Sequence, residues 1–326
     1  MPRLAWIYRT DTHVTDRSPA SWKADYPSEI WSNLEQIGKF AREHKVNAVL
    51  DGGDYFHVKS ATRNPHSLNV KSAHIHRGYG VEILADIGNH DIKYNNLETL
   101  DEQPLGVLFA AGVFTRLTER VFKDGDLQVR VVGLPYSPFR TIADIHAVKK
   151  KPGDTFLICI IHQLAAADPP PSVVDFFGEP VFKYADLIAP DGPDLFGFGH
   201  WHKDQGIVDI GTTQFVNLGA VSRGALIREN TQRTPKVALI EATLDGLRVM
   251  QLPLSVAPPE DVFDFDRKER QEHEETNIEQ FVQALQANAS FDPSSSIEDN
   301  LQSLNFAVEI RDMAREYLDR ARAEVG

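Results

Sequence analysis

The sequence predicts an α/β fold: a four-layer αββα sandwich of two mixed β-sheets flanked by helices, with a C-terminal helical extension. Three observations predict it. Apolar strand-like runs alternate with a helical pattern in the first part of the chain. Strands joined by short turns dominate the later part, which suggests two stacked sheets with helices outside. At least five of the apolar runs stop at Asp, Asn or His. In α/β sheets, sites gather at the carboxyl ends of strands.

Taken in order, LAWIY (4–8) reads as a short buried strand. Residues 29–45 follow with Ile30, Leu34, Ile37 and Ala41 at helical spacing. VNAVLDGGD (46–54) is a second apolar strand, stopped by two glycines, and VEILADIGNHD (81–91) has the same form. FLICIIHQ (156–163) and DLFGFGHWH (194–202) repeat it. Residues 128–136, 205–211, 213–219, 236–243 and 247–254 read as further strands, in a half that looks antiparallel or mixed. Pro-Pro followed by dense charge over 255–275 reads as a linker, so the expected division is a domain at 1–255 and an extension at 256–326. Within the extension, 277–286 and 304–323 have helical periodicity, with Phe306, Ile310, Met313 and Tyr317 as an apolar stripe. The stripe either packs on the main domain or docks a partner.

Composition bounds the function. With 42% hydrophobic and 25% charged residues, the chain is of ordinary globular type. A formal net charge of -13 excludes a general polyanion binder acting by charge alone. An anionic substrate would need local cations or metal ions. The single cysteine, Cys159, lies in an apolar run and reads as a small buried hydrophobe, so no intrachain disulfide or cysteine zinc cluster can form. That fits a reducing compartment. The apolar stretch at the N-terminus is too short for a signal peptide, and no run approaches membrane-spanning length. The expected location is cytoplasmic.

The polar strand ends can now be set side by side: Asp11 and His13, Asp54, Asn89 and His90, His162, then His200 and His202. Each alone is weak. Together they supply the oxygen and nitrogen donors that suit divalent first-row metals. A carboxylate bridging two ions needs a tight strand end, and Asp54 behind Gly52 and Gly53 fits. Two ions roughly 3.5–4 Å apart would clamp an in-line displacement at phosphorus and generate a hydroxide nucleophile near neutral pH.

In that order, D-x-H, G-D, G-N-H-D, H and G-H-x-H resemble the calcineurin-like metallophosphoesterases, over residues 4 to about 225. The resemblance implies that Asp11, His13, Asp54 and His202 hold one metal, and that Asp54, Asn89, His162 and His200 hold the other. It implies manganese foremost, with iron, zinc, nickel, cobalt or magnesium as alternatives. His90 would protonate the leaving group or stabilise charge in the transition state. Asp91 has two readings, as the residue that orients His90 or as a carboxylate at a helix start. Trp201, between the two histidines, reads as a wall or packing residue.

GDYFH (53–57) is similar to the segment that marks SbcD-like DNA repair exonucleases, the nuclease subunits of SbcCD-type complexes. That likeness implies that His57 positions a DNA strand and that the activity serves repair, recombination or phage DNA processing. It also implies an SbcC-like ATPase partner at the C-terminal helices, and a homodimer. A composition feature agrees. From Tyr55 to Val81 there is no Asp or Glu, while Lys59, Arg63, Lys71, Arg77 and four histidines are present. Such a segment suits a phosphate backbone, and Lys59 and Arg63 are the candidate contacts. Arg223, in NLGAVSRG (217–224), either meets a phosphate or forms a structural salt bridge.

The chain departs from the pattern at Thr10, at Val14 and Thr15, and at Ile87, where the family often has Ser, Gly and Pro. It also carries only about 70 residues after the core, where larger nucleases of the branch have a DNA-capping domain before the docking helices. Two other functions stand beside DNA hydrolysis: a phosphatase or small-molecule phosphodiesterase on the same scaffold, and an inactive scaffold.

Overall fold

The computed structural model describes residues 1–170 and 178–269. The chain divides into one compact unit, Met1–Phe263, and a second, Asp264–Gly326. The helices expected at 277–286 and 304–323 lie outside the described residues. Among the described residues, no helix is long and apolar enough to cross a membrane.

The first unit reaches past the expected boundary at 255. Pro259–Val262 forms a helical turn, and Val262 and Phe263 are buried. Phe263 meets Trp22 edge-on at 5.2 Å, and Lys23 N donates to Val262 O at 2.9 Å. The charge around these two apolar residues hides them from a composition reading.

Two six-stranded sheets form the frame. In the first, β1 (Arg3–Arg9), β2 (Ala48–Asp51), β3 (Glu82–Ala85) and β4 (Thr115–Arg116) run parallel. The second has β6 (Leu127–Leu134), β7 (Phe156–His162), β10 (Leu195–Gly199) and β12 (Thr213–Leu218) parallel. Antiparallel strands close three of the four edges: β13 (Lys236–Thr243) and β14 (Gly246–Pro253) beside β1, then β5 (Glu119–Asp124) and β11 (Asp204–Ile210) in the second sheet. A small third sheet pairs β8 (Ala165–Ala166) with β9 (Phe182–Lys183).

Strand alternation builds three apolar layers. In β1, Leu4, Trp6 and Tyr8 face the second sheet, where they meet Ile158, Ile160 and Val216. Ala5 and Ile7 face the opposite way, onto α1 (Tyr26–Glu43), α2 (His66–Arg77) and α3 (Pro104–Ala110). In β7, Cys159 and Ile161 point outward to Phe196, Phe198, Phe215 and the short helix α4 (Ile142–His146). Burial on both faces explains why the central strands read as continuous apolar runs. α1 starts at Asp25, whose carboxylate accepts from Ser28 N, with Pro27 in the first turn.

Two kinds of element escaped the sequence reading. β5 is an exposed edge strand, ERVFKD, with no apolar face to mark it. α2 buries Leu68, Ser72 and His76, an i, i+4, i+8 stripe in which only the first residue is apolar.

Candidate metal centre

The polar strand ends converge at the carboxyl ends of parallel strands from both sheets: β1, β2 and β3 in the first, β7 and β10 in the second. Register sets this up. Arg9 pairs with Asp51, and Asp51 with Ala85, so three loops leave the first sheet side by side. Gly199 pairs with His162 in the second.

The backbone at this convergence is strained. Among the described residues, Asp11, His13 and Asp54 have φ of 51°, 51° and 55°, and His200 has 90°. Left-handed conformations in non-glycine residues cost on the order of 1–3 kcal/mol each and persist only where surroundings fix them. Here the loops are laced together: Asp11 N donates to Gly53 O at 3.0 Å, His13 N to Asp54 O at 3.0 Å and Val14 N to Tyr55 O at 2.7 Å. Close approach requires glycine at two points. A Cβ on Gly88 would fall 2.1 Å from Asp54 Oδ1, and one on Gly199 would fall 2.5 Å from Gly52 O.

A buried ion pair underlies these loops. Arg9 Nε donates to Asp51 Oδ2 at 2.7 Å, and Gly53 N donates to Asp51 Oδ1 at 3.0 Å. The His76 Nε2 of α2 meets Arg9 Nη2 at 2.8 Å. The helix of the basic segment is thereby tied to the strand ends.

Two donor sets share Asp54. Asp11, His13, Asp54 and His202 bring ligand atoms within 4.8 Å of one another, and so do Asp54, His162 and His200. In the first set His13 Nε2 lies 3.7 Å from Asp54 Oδ2 and 2.9 Å from His202 Nε2. In the second, His162 Nε2 lies 3.4 Å from Asp54 Oδ2, while its Nδ1 is held by Gly52 O at 2.7 Å. Asn89 completes this set. The inward atom of its amide is 3.0 Å from Asp54 Oδ2, 3.1 Å from His200 Nδ1 and 3.3 Å from His162 Nε2. With nitrogen inward, Asn89 donates to Asp54 and His200. With oxygen inward, and once His162 has given up the Nε2 proton that Asp54 favours, four lone-pair donors face one centre. That second arrangement suits a cation, and the all-oxygen-and-nitrogen donor sets fit divalent first-row ions.

Electrostatics keep the carboxylates ionised. Burial works against ionisation of Asp11, but the hydrogen bond and charge of His202, with His162 beyond, hold its pKa down at about 2. Burial likewise opposes Asp54, and the charge and hydrogen bond of His162 overcome it, lowering Asp54 well below the ordinary value. Burial and the neighbouring His202 push His13 the other way, well below an ordinary histidine.

The remaining expected residues sort into three groups. His90 and His57 line the cleft in front of the donors, with rings stacked at 5.8 Å. His90 N donates to Asp54 Oδ1 at 2.7 Å, and its Nδ1 meets His57 O at 2.6 Å. Burial lowers its pKa, partly offset by Asp54. Arg63 lines the same cleft, and Lys59 Nζ sits 3.2 Å from the outer atom of the Asn89 amide. Trp201 is a partly buried wall.

Two expectations are corrected. Asp91 neither orients the His90 ring nor starts a helix. It is buried, and its Oδ2 accepts from Asp54 N at 2.8 Å and Gly88 N at 2.9 Å, which binds the two loops together. The His90 ring is oriented by a backbone carbonyl instead. Arg223 is no phosphate contact. It is 1% exposed, pairs with Glu29 Oε2 at 2.8 Å and donates to Ala257 O at 2.8 Å. A guanidinium enclosed by α1 and the 257 turn cannot reach a ligand.

One residue was missed. Glu179 lies in a loop with no strand pattern, yet its carboxylate accepts from His200 Nε2 at 2.7 Å and from Tyr136 Oη at 3.0 Å. Nothing in the sequence around it marks the contact.

The whole arrangement opens into a cleft of about 1170 Å³. Its charged walls carry Arg17, Arg63, Lys203 and Arg233 against Asp54, Glu179 and Glu229. Asp54 and Glu179 face histidines, Arg233 is bonded to Ala220 O, Ser222 O and Asn230 Oδ1, and Arg63 and Lys203 stand exposed on the cleft wall, in a chain of net charge -13.

No family model matches the chain, and no curated protein matches it. Solved structures do. The purple acid phosphatase PPD1 from yellow lupin (Lupinus luteus) seeds aligns with TM-score 0.47 at 12% identity, over 80% of this chain and 53% of that one. The sulfate thiohydrolase SoxB of Thermus thermophilus aligns with TM-score 0.40 at 15% identity, over 77% of this chain and 56% of that one. The protein TT1561, also of Thermus thermophilus, aligns with TM-score 0.41 at 11% identity, over 77% and 99%. The alignments span about half of the first two proteins. At these scores the likeness identifies neither this chain nor its chemistry.

Proposed function

We propose that the chain is a two-metal phosphodiesterase of the calcineurin-like type that hydrolyses DNA, as the SbcD-like nucleases do. One observation carries the reading: two donor sets share Asp54 at the floor of a cleft that Arg63 and Lys203 also line. Asp11, His13, Asp54 and His202 would hold one ion, and Asp54, Asn89, His162 and His200 the other. Manganese is the proposed metal. Bound there, divalent ions supply Lewis-acid charge for an in-line displacement at phosphorus.

The chain's own residues do the rest. His90 has its backbone N–H committed to Asp54 and its Nδ1 to His57 O, which leaves Nε2 for the leaving oxygen. Its ring is held below the ordinary histidine value, and the negative charge of a bound phosphate raises it, so that Nε2 carries a proton to the departing alkoxide. His57 stacks behind it and faces the strand. Lys59 and Arg63 meet neighbouring phosphates. An SbcC-like ATPase docked by the C-terminal segment, a homodimer and a cytoplasmic location extend the same proposal.

The test is a manganese-dependent digest of end-labelled single- and double-stranded DNA, with p-nitrophenyl phosphate and cyclic nucleotides in parallel. DNA cleavage that is lost in His90→Ala, with metal retained, supports the reading. Turnover of the small substrates without DNA cleavage overturns the DNA assignment and favours a phosphatase or small-molecule phosphodiesterase. Absence of any bound metal, both after growth and after soaking with manganese, overturns both and leaves the inactive scaffold.

A further inference from the structure

We infer that Glu179 is a positioning residue that fixes the tautomer of His200, so that Nδ1 presents a lone pair to the Asp54 and Asn89 side of the site. The inference rests on the metal reading above and extends it to a residue outside the expected donor motifs.

A carboxylate only accepts hydrogen bonds. Glu179 Oε1 lies 2.7 Å from His200 Nε2, so that nitrogen carries the hydrogen in the neutral ring and Nδ1 is left with the lone pair. Without this partner the opposite tautomer has a use. An N–H at Nδ1 would donate to the inward oxygen of Asn89, 3.1 Å away, and place a hydrogen where a cation needs a donor. Glu179 therefore selects against a competing arrangement built into the same site. Its counterpart is the His162 ring, whose Nδ1 is held by Gly52 O at 2.7 Å. One histidine of the set is oriented by a backbone carbonyl, the other by a side chain.

The geometry of Glu179 is itself held. Its second oxygen accepts from Tyr136 Oη at 3.0 Å. Tyr136 N donates to Ile87 O at 2.8 Å, on the loop that carries Asn89, and the tyrosine ring packs 5.2 Å from the His200 ring. The side chains of His200 and Glu179 are 8% and 13% exposed, so water competes weakly for the bond. A hydrogen-bonded carboxylate behind a metal-binding imidazole typically changes metal affinity by about 10–100-fold when removed.

Two measurements on the full chain test this. The first is ¹⁵N NMR of the histidine rings in metal-free protein, which reads the tautomer directly. His200 should be the Nε2–H form in the unmodified chain, and should shift toward Nδ1–H in Glu179→Ala. The second is calorimetric titration with Mn²⁺. Glu179→Ala should weaken one of two sites by about 10–100-fold and leave the other within about threefold. Glu179→Gln, which keeps an acceptor oxygen without the charge, should restore the tautomer and most of the affinity. It also separates a positioning role from simple loss of folding. An unchanged His200 tautomer in Glu179→Ala overturns the inference. So does a Gln variant as defective as Ala. If the unmodified chain binds no Mn²⁺, the metal reading fails, while the NMR result still decides whether Glu179 sets the tautomer.

Discussion

The floor of the cleft and its basic rim are contiguous in sequence, meeting at Asp54 and Tyr55, yet they are built differently. On the floor, Asp11, Asp54 and His162 are 0–1% exposed, and two of the three sit in left-handed backbone laced to neighbouring loops. On the rim, His57, Lys59 and Arg63 are exposed. Position on the floor is imposed by backbone and cannot relax. Position on the rim is left to side chains. The donor atoms are thus fixed by strand ends, while under the proposed function the choice of substrate would rest on exposed side chains.

The largest break in that contrast is Asp54→Ala. It removes the carboxylate common to both donor sets, and metal uptake and hydrolysis should both be lost, activity by at least about 10³-fold. Metal content by mass spectrometry alongside the DNA digest checks this. Retained metal at both sites would show that Asp54 is not shared.

Gly88→Ala comes next. It deletes no donor, but its Cβ would lie 2.1 Å from Asp54 Oδ1. A displacement of about 1 Å at a reacting centre can cost about 100-fold, so kcat should fall by roughly that factor while the chain stays folded. Wild-type kcat in this variant would mean that the floor does relax.

Asp86 extends the rigid floor to stability. It is buried beside the floor, and neither carboxyl oxygen has a well-formed hydrogen bond among the described residues. Burial pushes its pKa up to about 8, with only a weaker opposing pull from the Ile87 amide. A folded value above the unfolded value of about 3.9 means that stability is fully present below about pH 4 and is lost as pH rises toward 8. Asp86→Asn should therefore match the unmodified chain in Tm near pH 4 and exceed it by roughly 10 °C or more at pH 8. Thermal melts across that range check the sign.

The smallest effect belongs to the rim. Lys59→Ala and Arg63→Ala should each raise KM for DNA by a few-fold, roughly 3–10, and lower the slope of log affinity against log salt by about one, with kcat nearly unchanged. Small phosphate esters should not register the change. A kcat effect as large as that of Gly88→Ala would erase the distinction between floor and rim.

The same distinction governs what could be read from sequence. The central strands announce themselves because burial on both faces makes each an unbroken apolar run, and the polar residue that ends each run is conspicuous. Asp11, His13, Asp54, Asn89, His162, His200 and His202 could be listed together for that reason. What could not be read depends on distant pairing. β5 is exposed, and α2 buries a serine and a histidine where an apolar stripe would give a period. Asp91 answers to the backbone of Asp54, 37 residues away, and Arg223 to Glu29, 194 away. Neither partner is marked locally. Glu179 is the extreme case, since its bond to His200 depends on a loop meeting a strand end.

Two ions sharing Asp54 at the strand ends would be visible by electron paramagnetic resonance of the manganese-loaded chain. Two Mn²⁺ bridged by one carboxylate should give an exchange-coupled spectrum at a stoichiometry of two ions per chain, and the coupling should vanish in Asp54→Ala. A single uncoupled Mn²⁺ signal in the unmodified protein would mean that Asp54 is not shared by two ions.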